Sequence, residues 1–95
     1  MFDFESVSHL NGYIKQSVQD NPYLAEFSVV GEISQYVISA RDHAYFSIKD
    51  DQSLINCVIF ARSRSVLKIE PKIGMKVKIT GGLDFYSPSG KLQVI

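Results

Sequence analysis

Four side chains alternate along one short run of the sequence: His43, Tyr45, Ser47 and Lys49. In an extended chain successive side chains point to opposite faces, so these four share a face while Ala44, Phe46 and Ile48 share the other. A ring, a second ring with a donor, a hydroxyl and an ammonium in a row make no bonds and break none. They form a grip: flat bases stack on aromatics, and cations track phosphates. A little further on, Asn56 can both donate to and accept from a base edge. Tyr36 and Arg41 precede the run, and Tyr86 and Lys91 flank a later turn, adding two rings and two cations of the same kind.

Other chemistries find less support. Asp50-Asp51 follows directly on the run, where aspartate satisfies its own turn by local hydrogen bonding more readily than it collects a magnesium ion. His9 and His43 stand far apart with no matched ligand spacing, so no metal site is expected. No nucleophile motif surrounds any serine. Cys57, the single cysteine, lies between apolar neighbours and reads as buried and inert; it excludes an internal disulfide. Neither a catalytic residue nor a cofactor is expected.

The elements that would position the grip follow from periodicity. Leu10, Ile14 and Val18 stack at four-residue spacing, which predicts a helix over 7–21 with Ser8 as its N-cap and Asn21-Pro22 as its stop. The period then changes to two. Phe27, Val29, Gly31 and Ile33 alternate with Ser28, Val30, Glu32 and Ser34 in a first strand, and Gly31 would let it bend. A loop from Tyr36 to Asp42 leads to the second strand, 43–49, and the turn Asp50 to Ser53 leads to the third, 54–60, whose inward face the pattern leaves open. A short helix over 61–68 is expected before Pro71 and Gly74. Met75, Val77, Ile79, Gly81, Leu83 and Phe85 then alternate with polar neighbours in a fourth strand, in which Gly81-Gly82 reads as a bend or bulge. Ser87-Pro88-Ser89-Gly90 is turn chemistry, and Lys91 to Ile95 starts a fifth strand that stops in mid-pattern.

A chain of 95 residues holds one core, and 45% hydrophobic with 21% charged residues is a globular composition. No run approaches the roughly 18 apolar residues of a membrane helix, and the acidic start MFDFES is unlike a signal peptide, so a cytoplasmic protein without membrane contact is expected. Net charge is zero but unevenly placed: residues 1–32 hold five acids against Lys15, and residues 33–95 hold nine bases against five acids. The basic part contains the whole of the grip, as a phosphate ligand would favour.

Five short strands with a helix between the third and fourth predict an all-β fold with short helices, a five-stranded OB-fold Greek-key barrel. An SH3-like barrel would not normally place a helix there. The expected organisation is an N-terminal helical segment, 1–24, packed on a barrel, 25–95, that is truncated in strand five. Such barrels bind oligonucleotides on the face of strands two and three, between the loops joining strands one to two and four to five. Tyr36, Arg41, His43, Tyr45, Ser47, Lys49, Asn56, Tyr86 and Lys91 all fall there.

The stretches VSHLNGYIKQ, VVGEIS, HAYFSIKD, INCVIF and GMKVKITGGLDFYSPSGKLQ, in this order, resemble the N-terminal domain of the large subunit of bacterial exodeoxyribonuclease VII. HAYFSIKD and INCVIF are also similar to the anticodon-binding barrels of class II aminoacyl-tRNA synthetases, where the equivalents of Tyr45 and Asn56 contact bases. The first resemblance implies a module that holds single-stranded DNA for a nuclease domain outside this chain, with the small subunit attached through a region also outside it. An RNA-binding barrel and a protein-interaction barrel are the alternatives, and the truncated fifth strand would offer two copies of the chain an edge on which to dimerise.

Overall fold

The computed structural model describes all of residues 1–95. Two helices come first, α1 (Val7–Gln19) and the single turn α2 (Pro22–Ala25). Ser6 caps α1, not Ser8: the Ser6 backbone is extended and its hydroxyl accepts the His9 N–H at 3.0 Å, while Ser8 is already inside the first turn. Asn21-Pro22 ends α1 as expected and also starts α2. The Asn21 side chain accepts the Tyr23 N–H, and proline occupies the first helical position, where its missing donor costs nothing. No helix is long and apolar enough to cross a membrane.

The strands are β1 (Phe27–Ile38), β2 (Ala44–Lys49), β3 (Leu54–Ile59), β4 (Lys76–Gly81), β5 (Leu83–Tyr86) and β6 (Lys91–Val94). They form one sheet in the order β4-β1-β2-β3-β6-β5, antiparallel except for β3 beside β6. The expected fourth strand is divided at Gly82: its first half pairs with β1 and its second with β6. Both ends of the sheet order are therefore neighbouring segments of one run of chain, and the sheet curls back on itself as a barrel. Gly82 and Ile95 exchange backbone hydrogen bonds at this junction, at 2.9 and 3.3 Å. A Cβ on Gly82 would lie 2.5 Å from the Ala25 carbonyl oxygen, which is why glycine stands at the break. The fifth expected strand is β6. It lies between β3 and β5 and so is not itself an edge of the sheet.

β1 is the longest strand and serves two neighbours. Its first half pairs with β4 and its second with β2, and Glu32 faces Lys76 on one side and Lys49 on the other. At Gly31 a Cβ would lie 3.0 Å from the Cβ of Ile48 and 3.2 Å from the Lys49 carbonyl oxygen, closer than most side chains approach a neighbour, so β1 and β2 pack tightly there. Beyond it the register shifts by one residue between Ile33 and Gln35, a bulge at Ser34. Ile33, Phe46, Ile48, Cys57 and Val94 make the buried centre, with Val29, Ile55, Ile59, Val77 and Ile79 packed around it. The helix expected over 61–68 is only the turn α3 (Ala61–Arg64). Phe60 supplies no side-chain cap, and Ser63, Ser65 and Val66 are weak helix formers.

Candidate nucleic-acid interface

Register decides which side chains share the outer face of β1, β2 and β3. Three rows cross it. Val37, Tyr45 and Val58 stand opposite one another; Gln35, Ser47 and Asn56 form the next row, and Glu32, Lys49 and Leu54 the third. Neighbours within a row are about 5 Å apart and rows are about 7 Å apart. Tyr45, Lys49 and Asn56 are exposed, as a contact face requires, with Tyr45 47% exposed.

Two turns bound this face. The β1–β2 loop is a tight one: Ser39 N–H donates to the His43 carbonyl at 2.8 Å, Asp42 N–H to the Ser39 carbonyl at 2.9 Å, and Asp42 adopts φ 64°. Arg41 is exposed in that loop. At the other end, Tyr86 and Lys91 face each other across the base of the β5–β6 hairpin, both exposed. Because β6 runs parallel to β3 with Val94 beside Cys57, Lys91 lies toward the Leu54 end of β3, away from the Arg41 loop. Only two ion pairs form in the molecule, Lys15 with Asp84 and Arg64 with Glu70, so Arg41, Lys49 and Lys91 hold no carboxylate.

Three of the nine expected contact residues are committed elsewhere. Ser47 is 1% exposed, and its hydroxyl lies 2.6 Å from that of Ser34. Its position on the outer face is as expected, but the side chain is sheltered there and already satisfied by Ser34. Tyr36 belongs to β1, not to a loop. The bulge at Ser34 re-phases the alternation, turning Tyr36 inward against Phe46 with ring centroids 6.0 Å apart. Its hydroxyl lies beside the Arg64 guanidinium and, ahead of Glu70, raises that group's pKa; both the phenol oxygen and Arg64 Nε are nevertheless buried without a hydrogen bond. His43 is half-buried, accepts the Ala61 N–H on Nδ1 at 2.9 Å and meets Phe60 edge-on at 5.3 Å, so it ties α3 to the β1–β2 loop.

The same register adds side chains that the sequence pattern missed. Gln35 is exposed beside Ser47, brought outward by the bulge that takes Tyr36 inward; no residue in the stretch announces that bulge. Phe60 continues the outer alternation of β3 and keeps 42% of its surface exposed next to His43. Its parity with Asn56 was the available signal.

The turn reading of Asp50 also has its geometry. One carboxylate oxygen accepts both the Gln52 and Ser53 N–H groups at 2.8 Å, and these bonds hold its pKa below the ordinary carboxylate value. Cys57 is 3% exposed, and burial pushes its thiol up to about 11.

This arrangement can be set against known proteins. The profile of a family described as an OB-fold nucleic acid binding domain matches residues 5–95. The chain belongs to that family. Among curated proteins it is similar to the exodeoxyribonuclease 7 large subunit of Lactobacillus gasseri, 44% identical over 88 residues, which is 93% of this chain and 19% of the relative. The large subunits of Bacillus pumilus and Bacillus subtilis are 40% and 38% identical over 91 residues, 96% of this chain and 20% of theirs. The chain thus spans about a fifth of the length of the relatives it matches.

Proposed function

We propose that this OB-fold domain holds single-stranded DNA for a nuclease of the exodeoxyribonuclease VII type in the cytoplasm, without cutting it. One observation carries the reading: an exposed aromatic, an amide and an ammonium, Tyr45, Asn56 and Lys49, share the outer face of β2 and β3 between two turns whose cations pair with no acid. Bases stack on rings of any sequence, and phosphates recruit the free cations, so a strand can be held without being read. Lengthwise likeness to the large subunits favours DNA over the RNA alternative. On this reading cleavage and attachment of the small subunit belong to other parts of the larger protein.

The test is fluorescence anisotropy of a labelled oligo-dT titrated with the chain at low salt, with a structured tRNA as competitor. Binding that tRNA displaces poorly is expected. No binding at low salt would end the proposal, and efficient displacement would transfer it to RNA. Incubation of the chain with labelled single-stranded DNA and magnesium is expected to leave the DNA intact.

A further inference from the structure

α1 lies against β5, and the face it turns there is Asn11, Ile14, Lys15 and Val18, the half-buried stripe of an otherwise exposed helix. Two apolar residues in that stripe need no explanation. Asn11 and Lys15 do, because apolar contact alone would be served better by apolar side chains. Both reach across 69 or more residues of sequence to the hairpin. Asn11 Nδ2 donates to the Ser87 carbonyl at 2.9 Å, and Lys15 Nζ donates to the Phe85 carbonyl at 3.2 Å and to Asp84 at 3.4 Å.

The hairpin's own turn bonds stop short of these groups. Ser89 N–H and Gly90 N–H both donate to the Tyr86 carbonyl, at 3.2 and 2.9 Å, which leaves the Phe85 and Ser87 carbonyls on either side of Tyr86 for the helix to take. The β5–β6 hairpin is anchored at its far end, where Val94 enters the core and Gly82 bonds to Ile95, but its ladder to β3 is the single pair Cys57 with Val94, and toward the turn the hydrogen bonds that reach it from outside the hairpin are those of α1. From this geometry we infer that α1 sets the position of the Tyr86–Lys91 pair. Asn11 and Lys15 act as positioning residues for nucleic-acid binding while touching no nucleotide themselves. The inference rests on the outer face being the DNA interface, and it adds the N-terminal helix to the binding apparatus.

The test uses the whole chain carrying Asn11→Leu, which keeps the volume and removes the bond, and Lys15→Met as a second variant should the first fail to fold. Oligo-dT affinity, melting temperature and amide exchange are measured together. Loss of one such bond should weaken binding about three- to tenfold and speed exchange at Ser89 and Gly90 by a similar factor, with β1–β3 amides unchanged. In a background carrying both Tyr86→Ala and Lys91→Ala the effect of Asn11→Leu on affinity should vanish, because both displaced groups are already gone. Exchange that accelerates throughout the barrel, or affinity losses that simply add, would show a structural role and overturn the inference. Unchanged affinity in Asn11→Leu while Tyr45→Ala weakens binding would overturn it alone. If the unaltered chain does not bind oligo-dT, or Tyr45→Ala is silent, the interface itself is refuted and this inference with it.

Discussion

Replacing Tyr45 by alanine should separate binding from folding. The ring stands on the outer face with 47% of its surface exposed, flanked by Val37 and Val58 on the neighbouring strands. Loss of these cross-strand pairs should cost about 1 kcal/mol of stability, which for a domain of this size lowers the melting temperature by about 4–8 °C. Loss of the stacking platform should cost about 1–3 kcal/mol of binding, a five- to 150-fold weaker dissociation constant. Anisotropy titrations at 25 °C, where both proteins are folded, read the second quantity without the first. Salt supplies an independent check. Arg41, Lys49 and Lys91 carry no acid partner, so three phosphate contacts to a single strand predict a slope of about −2 in the logarithm of affinity against that of salt. Tyrosine is uncharged, and the slope should survive its removal. Equal affinities for the two proteins, or a slope that collapses with the ring, would refute the reasoning.

Other substitutions test the remaining placements. Ser47→Ala removes the partner of the Ser34 hydroxyl and should cost about 1 kcal/mol in denaturant unfolding with oligo-dT affinity unchanged. Tyr36→Phe deletes a buried hydroxyl that faces the Arg64 guanidinium without a hydrogen bond, so stability should change by less than about 1 kcal/mol, again with no change in binding. At the barrel junction, Gly82→Ala drives a Cβ to 2.5 Å from the Ala25 carbonyl and should destabilise by about 1–3 kcal/mol, read from the same unfolding curves. The Cys57 thiol should resist a disulfide reagent at pH 8 until denaturant is added. Its folded pKa of about 11 lies above the ordinary 9.0, so the unfolded chain gives up this proton first and stability should decline as pH rises across that interval.

Much of this molecule was legible because its signals are local. The alternation through β2 and β4 states which side chains enter the core, and Phe46, Ile48, Val77 and Ile79 do enter it. Asn21-Pro22 marks the end of α1, Asp50 closes its own turn, and the glycine pair in the fourth strand marks the place where that strand divides. Tyr45 and Lys49 followed from the same period-two reading and Asn56 from its side-chain chemistry, and the structure leaves all three exposed on one face.

What escaped depends on pairs distant in the chain. A bulge exists only relative to a partner strand, so nothing in Ser34-Gln35-Tyr36 tells that Tyr36 turns in and Gln35 turns out. Exposure of a side chain depends on its neighbours, and Ser47 and Val58, both outward by parity, are sheltered at 1% and 2% exposed. His43 offers the same chemistry in either setting; the arrival of α3 with a free N–H commits its Nδ1. The sequence by itself determined the barrel, where most of its strands run and the kind of ligand its outer residues suit. Tertiary structure decided which of those residues are free to meet one, because availability depends on strand register and on which hydrogen-bond partners come within reach.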